Sequence, residues 1–115
     1  SMKFPSELEF LDAFGIEPCE VDQAMAYCRY NRRSNDGLIE LEFSFSGVSG
    51  SFQVAIKVLG KELILMSSEG VVQIEIRPTT HGSGIHVLFE TRDGASEAEV
   101  TLEPILHCSW WSLRN

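Results

Sequence analysis

The sequence predicts a mainly β fold, an antiparallel β-sandwich or strongly curved meander with a single amino-terminal helix. Three observations carry this. From about Gln23 onward apolar and polar residues alternate with a period of two. Clusters of Gly, Asn, Asp and Ser interrupt the alternation roughly every eight to twelve residues, the spacing of hairpin turns. No helical pattern separates the strands, and parallel neighbours would require long crossovers, so the pairing is antiparallel. With 115 residues, 43% of them hydrophobic, the chain suffices for one domain and not for two. That domain spans 1–115, with a helix over 4–15 and antiparallel β structure over 23–113.

Ser1 ahead of Met2 reads as a tag remnant. In "PSELEFLDAFGI", Pro5 or Ser6 opens the helix, Glu7 and Glu9 suit its positive end, and Gly15 closes it. Phe10, Leu11 and Phe14 are expected on its buried face. "AMAYCRYN" fits a strand leading through "SNDG" into "LIELEFSFS". There Ile39, Leu41, Phe43 and Phe45 share one side and Glu40, Glu42 and Ser44 the other. "SGVSG" supplies two glycines for positive φ before "SFQVAIKVL", whose Phe52, Val54, Ile56 and Val58 face inward. "ELILM", "VVQIEIR", "GIHVLFETR", "SEAEVTLEP" and "ILHCSWW" complete about seven or eight short strands. Such strands form a sandwich or meander, with the helix covering one open end or face.

Several chemistries are disfavoured. No secretory signal is visible at this terminus, and no run approaches the roughly eighteen apolar residues of a membrane span. Cys19, Cys28 and Cys108 make an odd set without CxxC spacing, which fits small buried residues in a reducing, cytoplasmic setting. The net charge of −8 opposes a nucleic-acid or membrane-surface partner. The one basic cluster, Arg29, Arg32 and Arg33, reads as a solvated hairpin end. His107 and Cys108, adjacent in a strand, face opposite ways and cannot pair as a nucleophile and its base. His81 reads as an exposed loop residue, and His86 as a surface or cross-strand hydrogen-bonding residue. The Cys and His residues lack zinc-ligand grouping, so neither metal nor cofactor is expected. No GxSxG elbow, HExxH or dinucleotide fingerprint is present, and a non-enzymatic role follows.

What stands out is the distribution of acid. Between Asp93 and Leu113 the chain carries Asp93, Glu97, Glu99 and Glu103 with no Lys or Arg. Glu17, Glu20 and Asp22 form a second acidic segment. Solubility alone accounts for such charge, and so does a docking face for a basic protein. Trp110 and Trp111 are neighbours in a period-two strand, so only one can face the core. The other would serve as an interface anchor.

A small, acidic, β-rich domain without catalytic motifs resembles the immunity proteins of bacterial toxin systems, including contact-dependent inhibition. The resemblance implies a monomer or weak homodimer that neutralises a basic, nuclease-type toxin through its acidic surface. The residues it implicates are Glu97, Glu99, Glu103, Glu40, Glu42, Glu75, Trp110 and Trp111. Three other readings compete. One is a small-ligand or carbohydrate-binding domain with Trp111, Tyr27 and Tyr30 in a cleft. Another is a structural subunit paired through strand edges. The third is an enzyme using His86 or His107 with a carboxylate.

Overall fold

The computed structural model describes residues 2–113; Ser1, read above as a tag remnant, and the last two residues lie outside them. One helix, α1 (Glu7–Phe14), precedes two antiparallel sheets. The first contains β1 (Glu20–Asp22), β2 (Tyr27–Arg33), β3 (Ile39–Ser46), β4 (Ser51–Val58) and β5 (Lys61–Ser68) in chain order. The second contains β6 (Val71–Thr79), β7 (Gly82–Thr91), β8 (Gly94–Glu103) and β9 (His107–Leu113), again in chain order. Every pairing of consecutive strands is antiparallel, so each sheet is a meander of hairpins. No helix among the described residues is long and apolar enough to cross a membrane.

Strand periodicity decides which residues are buried. In the first sheet the register aligns Cys28 with Phe45 and Phe52, and Tyr30 with Phe43 and Val54. In the second, Ile76, Ile85 and Val100 align, as do Ile74, Val87, Ala98 and Trp110. These two apolar faces meet in one core. Phe52 of β4 lies 6.2 Å from Phe89 of β7 and 6.1 Å from Trp110 of β9, which stacks on Phe89. Large aromatic rings bury about 150–250 Å² each, so these contacts dominate sheet-to-sheet attraction.

The helix completes the cover over β2 and β3. Ser6 caps it, accepting from the Glu9 amide while Glu9 Oε1 accepts from the Ser6 amide, and Gly15 ends it in the left-handed conformation. The predicted capping residues are therefore correct. The helix is shorter than the 4–15 span expected, because Lys3 extends beside β6: its amide donates to Val72 O and its carbonyl accepts from Ile74. Phe10 and Phe14 are buried, Phe10 lying 4.5 Å from Tyr30. Leu11, expected on the same face, is 40% exposed, because a short helix buries only the narrow stripe containing i and i+4.

Among the described residues nine strands replace the seven or eight expected, and β structure begins before residue 23. The addition is β1, exposed along its whole length and held by backbone pairing to β2, so no apolar alternation announced it. Gln23–Met25 form a 3₁₀ turn instead of opening a strand. In the β3–β4 turn only Gly50 has positive φ. Gly47 is needed for space: a Cβ there would lie 2.8 Å from the Phe4 ring. Pro78 lies within β6, which is an edge strand and tolerates the missing amide hydrogen.

Of the basic cluster, Arg33 is exposed at the hairpin end as expected, whereas Arg29 and Arg32 are half-buried and hold the structure together. Arg29 pairs with Glu20 at 3.1 Å and Glu42 at 2.9 Å, and Arg33 pairs with Glu40 at 2.9 Å, across the outer surface of the first sheet. Arg32 turns the other way. It donates to Phe14 O at the helix end and to Glu103 of β8, joining helix, first sheet and second sheet. Cys28 and Cys108 pack against the core as expected, and burial pushes the Cys108 thiol up to about 11. Cys19 is exposed, contrary to expectation, because it precedes the uncovered β1.

Gly84 marks the tightest approach within the second sheet, since a Cβ there would strike the Val100 carbonyl. Gly84→Ala is expected to lower unfolding free energy by about 3 kcal/mol, as strand-strand separation must increase. Urea denaturation followed by circular dichroism checks this.

Candidate functional site

The outer face of the second sheet collects three of the residues singled out between Asp93 and Leu113, namely Glu97, Glu99 and Trp111. Strand alternation puts Trp110 inward with Ala98 and Val87, so Trp111 must face outward, opposite Glu97. Trp111 is 38% exposed. On the next rung Glu75, His86, Glu99 and Ser109 align across all four strands. The face thus unites Glu75, Glu97, Glu99 and Trp111. Trp110 is separated from it by the thickness of the sheet.

The other predicted contact residues lie elsewhere. Glu40 and Glu42 are on the outer face of the first sheet, where Arg29, Arg33, Lys57 and Asn31 engage them. Glu103 is engaged by Arg32. Parity alone suggested that Glu103 would continue the row of Glu97 and Glu99, but a bulge in β8 opposite Ser83 and Gly84 interrupts the register.

Hydrogen bonds fix the geometry of the face. His86 Nε2 and Glu97 Oε2 form a short contact, with the imidazole almost wholly buried. His86 is therefore the cross-strand partner that its position allowed. The tip of the β6–β7 hairpin curls over β8, where the Thr80 amide and hydroxyl both donate to Glu99 Oε1, at 3.3 and 2.8 Å. Thr79 and Thr101 hydroxyls meet at 2.6 Å. His81 is exposed in the β6–β7 turn, as expected, and its ring packs 3.8 Å from that of His107. Sequence reading missed Thr80 and the His81–His107 contact, since both depend on the bend of the hairpin.

Chemically, the arrangement holds carboxylates at set positions beside an exposed indole. Arg77 approaches Glu75 at 3.7 Å, an exposed pair of small energetic weight. Excess negative charge therefore stays on the surface. His86 does pair with a carboxylate, as the catalytic reading required, and Ser109 Oγ lies 3.5 Å from His107 Nδ1, the outer limit of a hydrogen bond. His107 and Cys108 point to opposite sides of β9 as strand geometry demands. No group of metal-ligating side chains occurs among the described residues. The cleft combining Trp111, Tyr27 and Tyr30 does not form: Tyr30 is fully buried between Phe10 and Phe43, and Tyr27 and Trp111 belong to different sheets.

No family model matches the chain, and no curated protein matches it by sequence. The fold is similar to that of a chain in a solved contact-dependent growth inhibition toxin–immunity protein complex from Klebsiella pneumoniae 342. The superposition has a TM-score of 0.87 and covers 97% of each chain at 24% sequence identity. The likeness thus runs the length of both chains and is one of fold.

The two tryptophans are expected to behave oppositely on truncation. Trp110→Ala should cost about 3 kcal/mol through the cavity left beside Phe52 and Phe89, whereas Trp111→Ala should cost less than about 1 kcal/mol. Paired denaturation curves of the two variants decide between inward and outward placement.

Proposed function

We propose that this chain is an immunity protein that binds and neutralises a bacterial toxin of the contact-dependent growth inhibition kind, acting in the cytoplasm without catalysis of its own. The end-to-end fold likeness to a chain of a toxin–immunity complex carries this reading. The face formed by Glu75, Glu97, Glu99 and Trp111 supports a mechanism. An exposed indole anchors a desolvated centre, while surrounding carboxylates steer a basic partner into contact. A nuclease-type toxin, whose active cleft must attract phosphates, has the complementary charge. Glu40, Glu42 and Glu103 are balanced by arginines of this chain and stand apart from the contact face. Trp110 supports Trp111 from within.

The test is binding to the purified product of the gene adjacent to the one encoding this chain, taken as the candidate toxin. Wild-type protein should associate at a rate that falls steeply with salt, and should abolish toxicity when co-expressed. Glu97→Lys combined with Glu99→Lys should slow association at least tenfold at low ionic strength, with Glu97→Gln as the control for loss of the His86 contact. Stopped-flow kinetics would overturn the mechanism if the reversed protein bound equally fast. No binding by the wild type would overturn the immunity role.

One observation favours a second reading, a subunit paired through strand edges. The edge strand β5 exposes Leu63, Ile64 and Leu65 in succession, each about half accessible. Long apolar edges invite pairing with another strand. If this edge mediates self-association, sedimentation velocity will show a concentration-dependent dimer that Ile64→Lys abolishes. A monomer at all concentrations removes the reading.

A further inference from the structure

Away from the second sheet, α1 and the segment entering β1 enclose a shallow groove. Leu8, Leu11, Pro18 and Val21 form its apolar surface, and Glu7 and Glu17 stand at its margins. Leu8 is 65% exposed, and Leu11 and Val21 are each at least 40% exposed. Leu8 and Leu11 come from a helix whose other side carries Phe10 and Phe14, so the helix is apolar on two faces. Only one of those faces is used by the core.

Charge narrows what could occupy the groove. Neither Glu7 nor Glu17 forms an ion pair among the described residues, although Arg29, Arg33 and Lys57 neutralise the carboxylates of the neighbouring sheet.

We infer that the groove between α1 and β1 is a second docking surface that receives a basic amphipathic segment of the partner protein. Apolar side chains of that segment would cover Leu8, Leu11 and Val21, while its Lys or Arg side chains would meet Glu7 and Glu17. Naming the toxin as the source of the segment rests on the proposed immunity role; the groove and the chemistry of its occupant do not.

The experiment titrates the full ¹⁵N-labelled chain with a capped peptide of repeating KLLK pattern. A KSSK peptide of equal charge and an ELLE peptide serve as comparisons. Amide shifts are expected over residues 7–12 and 17–22, with affinity at least tenfold above that for KSSK and no binding of ELLE. Leu8→Gln with Leu11→Gln, both exposed and compatible with a helix, should reduce KLLK affinity at least tenfold. Equal binding of KSSK and KLLK would mean a mere acidic patch and overturn the inference. So would shifts confined to the β8–β9 face or to β5. Repeating the titration with the toxin domain separates the two proposals. Toxin binding unaffected by the leucine variants overturns the groove and leaves the immunity role standing. Peptide capture without toxin binding does the reverse.

Discussion

The structure depends on burying one face of each of two meander sheets against the other. Phe43, Phe45 and Phe52 from one sheet and Val87, Phe89 and Val100 from the other are almost completely withdrawn from water. Each lies on a strand whose next residue faces outward, so displacement of a strand by one position would expose its entire apolar set. The core thereby fixes register, and register fixes every outward residue. Because β9 must deliver Trp110 to Phe89, it must also deliver Trp111 to the opposite surface. The outer face bearing Glu75, Glu97, Glu99 and Trp111 is a consequence of how the core is filled.

The helix and Arg32 hold the two sheets in this relation at the places where strand pairing cannot. No hydrogen-bond ladder joins β5 to β6, since the chain there passes from one sheet to the other. Instead Lys3 bonds to β6 while Phe10 packs on β2 and β3, so the amino-terminal segment spans both sheets. Arg32 does the same through Phe14 O and Glu103. Its charge-assisted hydrogen bonds supply geometric precision where apolar packing thins toward the surface.

Internal ion pairing shapes the electrostatic field at the surface. Arg29, Arg32, Arg33 and Lys57 are directed at Glu20, Glu40, Glu42 and Glu103. Cations are thus concentrated on the first sheet and at its join to the second, where they balance local carboxylates. The uncompensated acid remains on α1, around β1 and on the outer face of the second sheet. Composition reports only a net charge of −8; the pairing pattern converts that total into two acidic surfaces, each beside exposed apolar groups.

Alternation of polar and apolar residues was sufficient to define antiparallel β architecture, because side chains on a strand can only alternate and each sheet must bury one side. The same rule established that Trp110 and Trp111 separate, and that His107 and Cys108 cannot act together. It left β1 hidden, since a strand exposed on both faces has no pattern to read. Nor did it distinguish Glu97 and Glu99, which converge with Trp111, from Glu40, Glu42 and Glu103, which are held by arginines. Alternation is relative: it divides residues into two sets without naming the inner one, and it says nothing about which strands share a sheet. Those choices were made by the packing of Phe52, Phe89 and Trp110 between the sheets, and by a bulge and a curled hairpin whose positions depend on contacts distant in sequence.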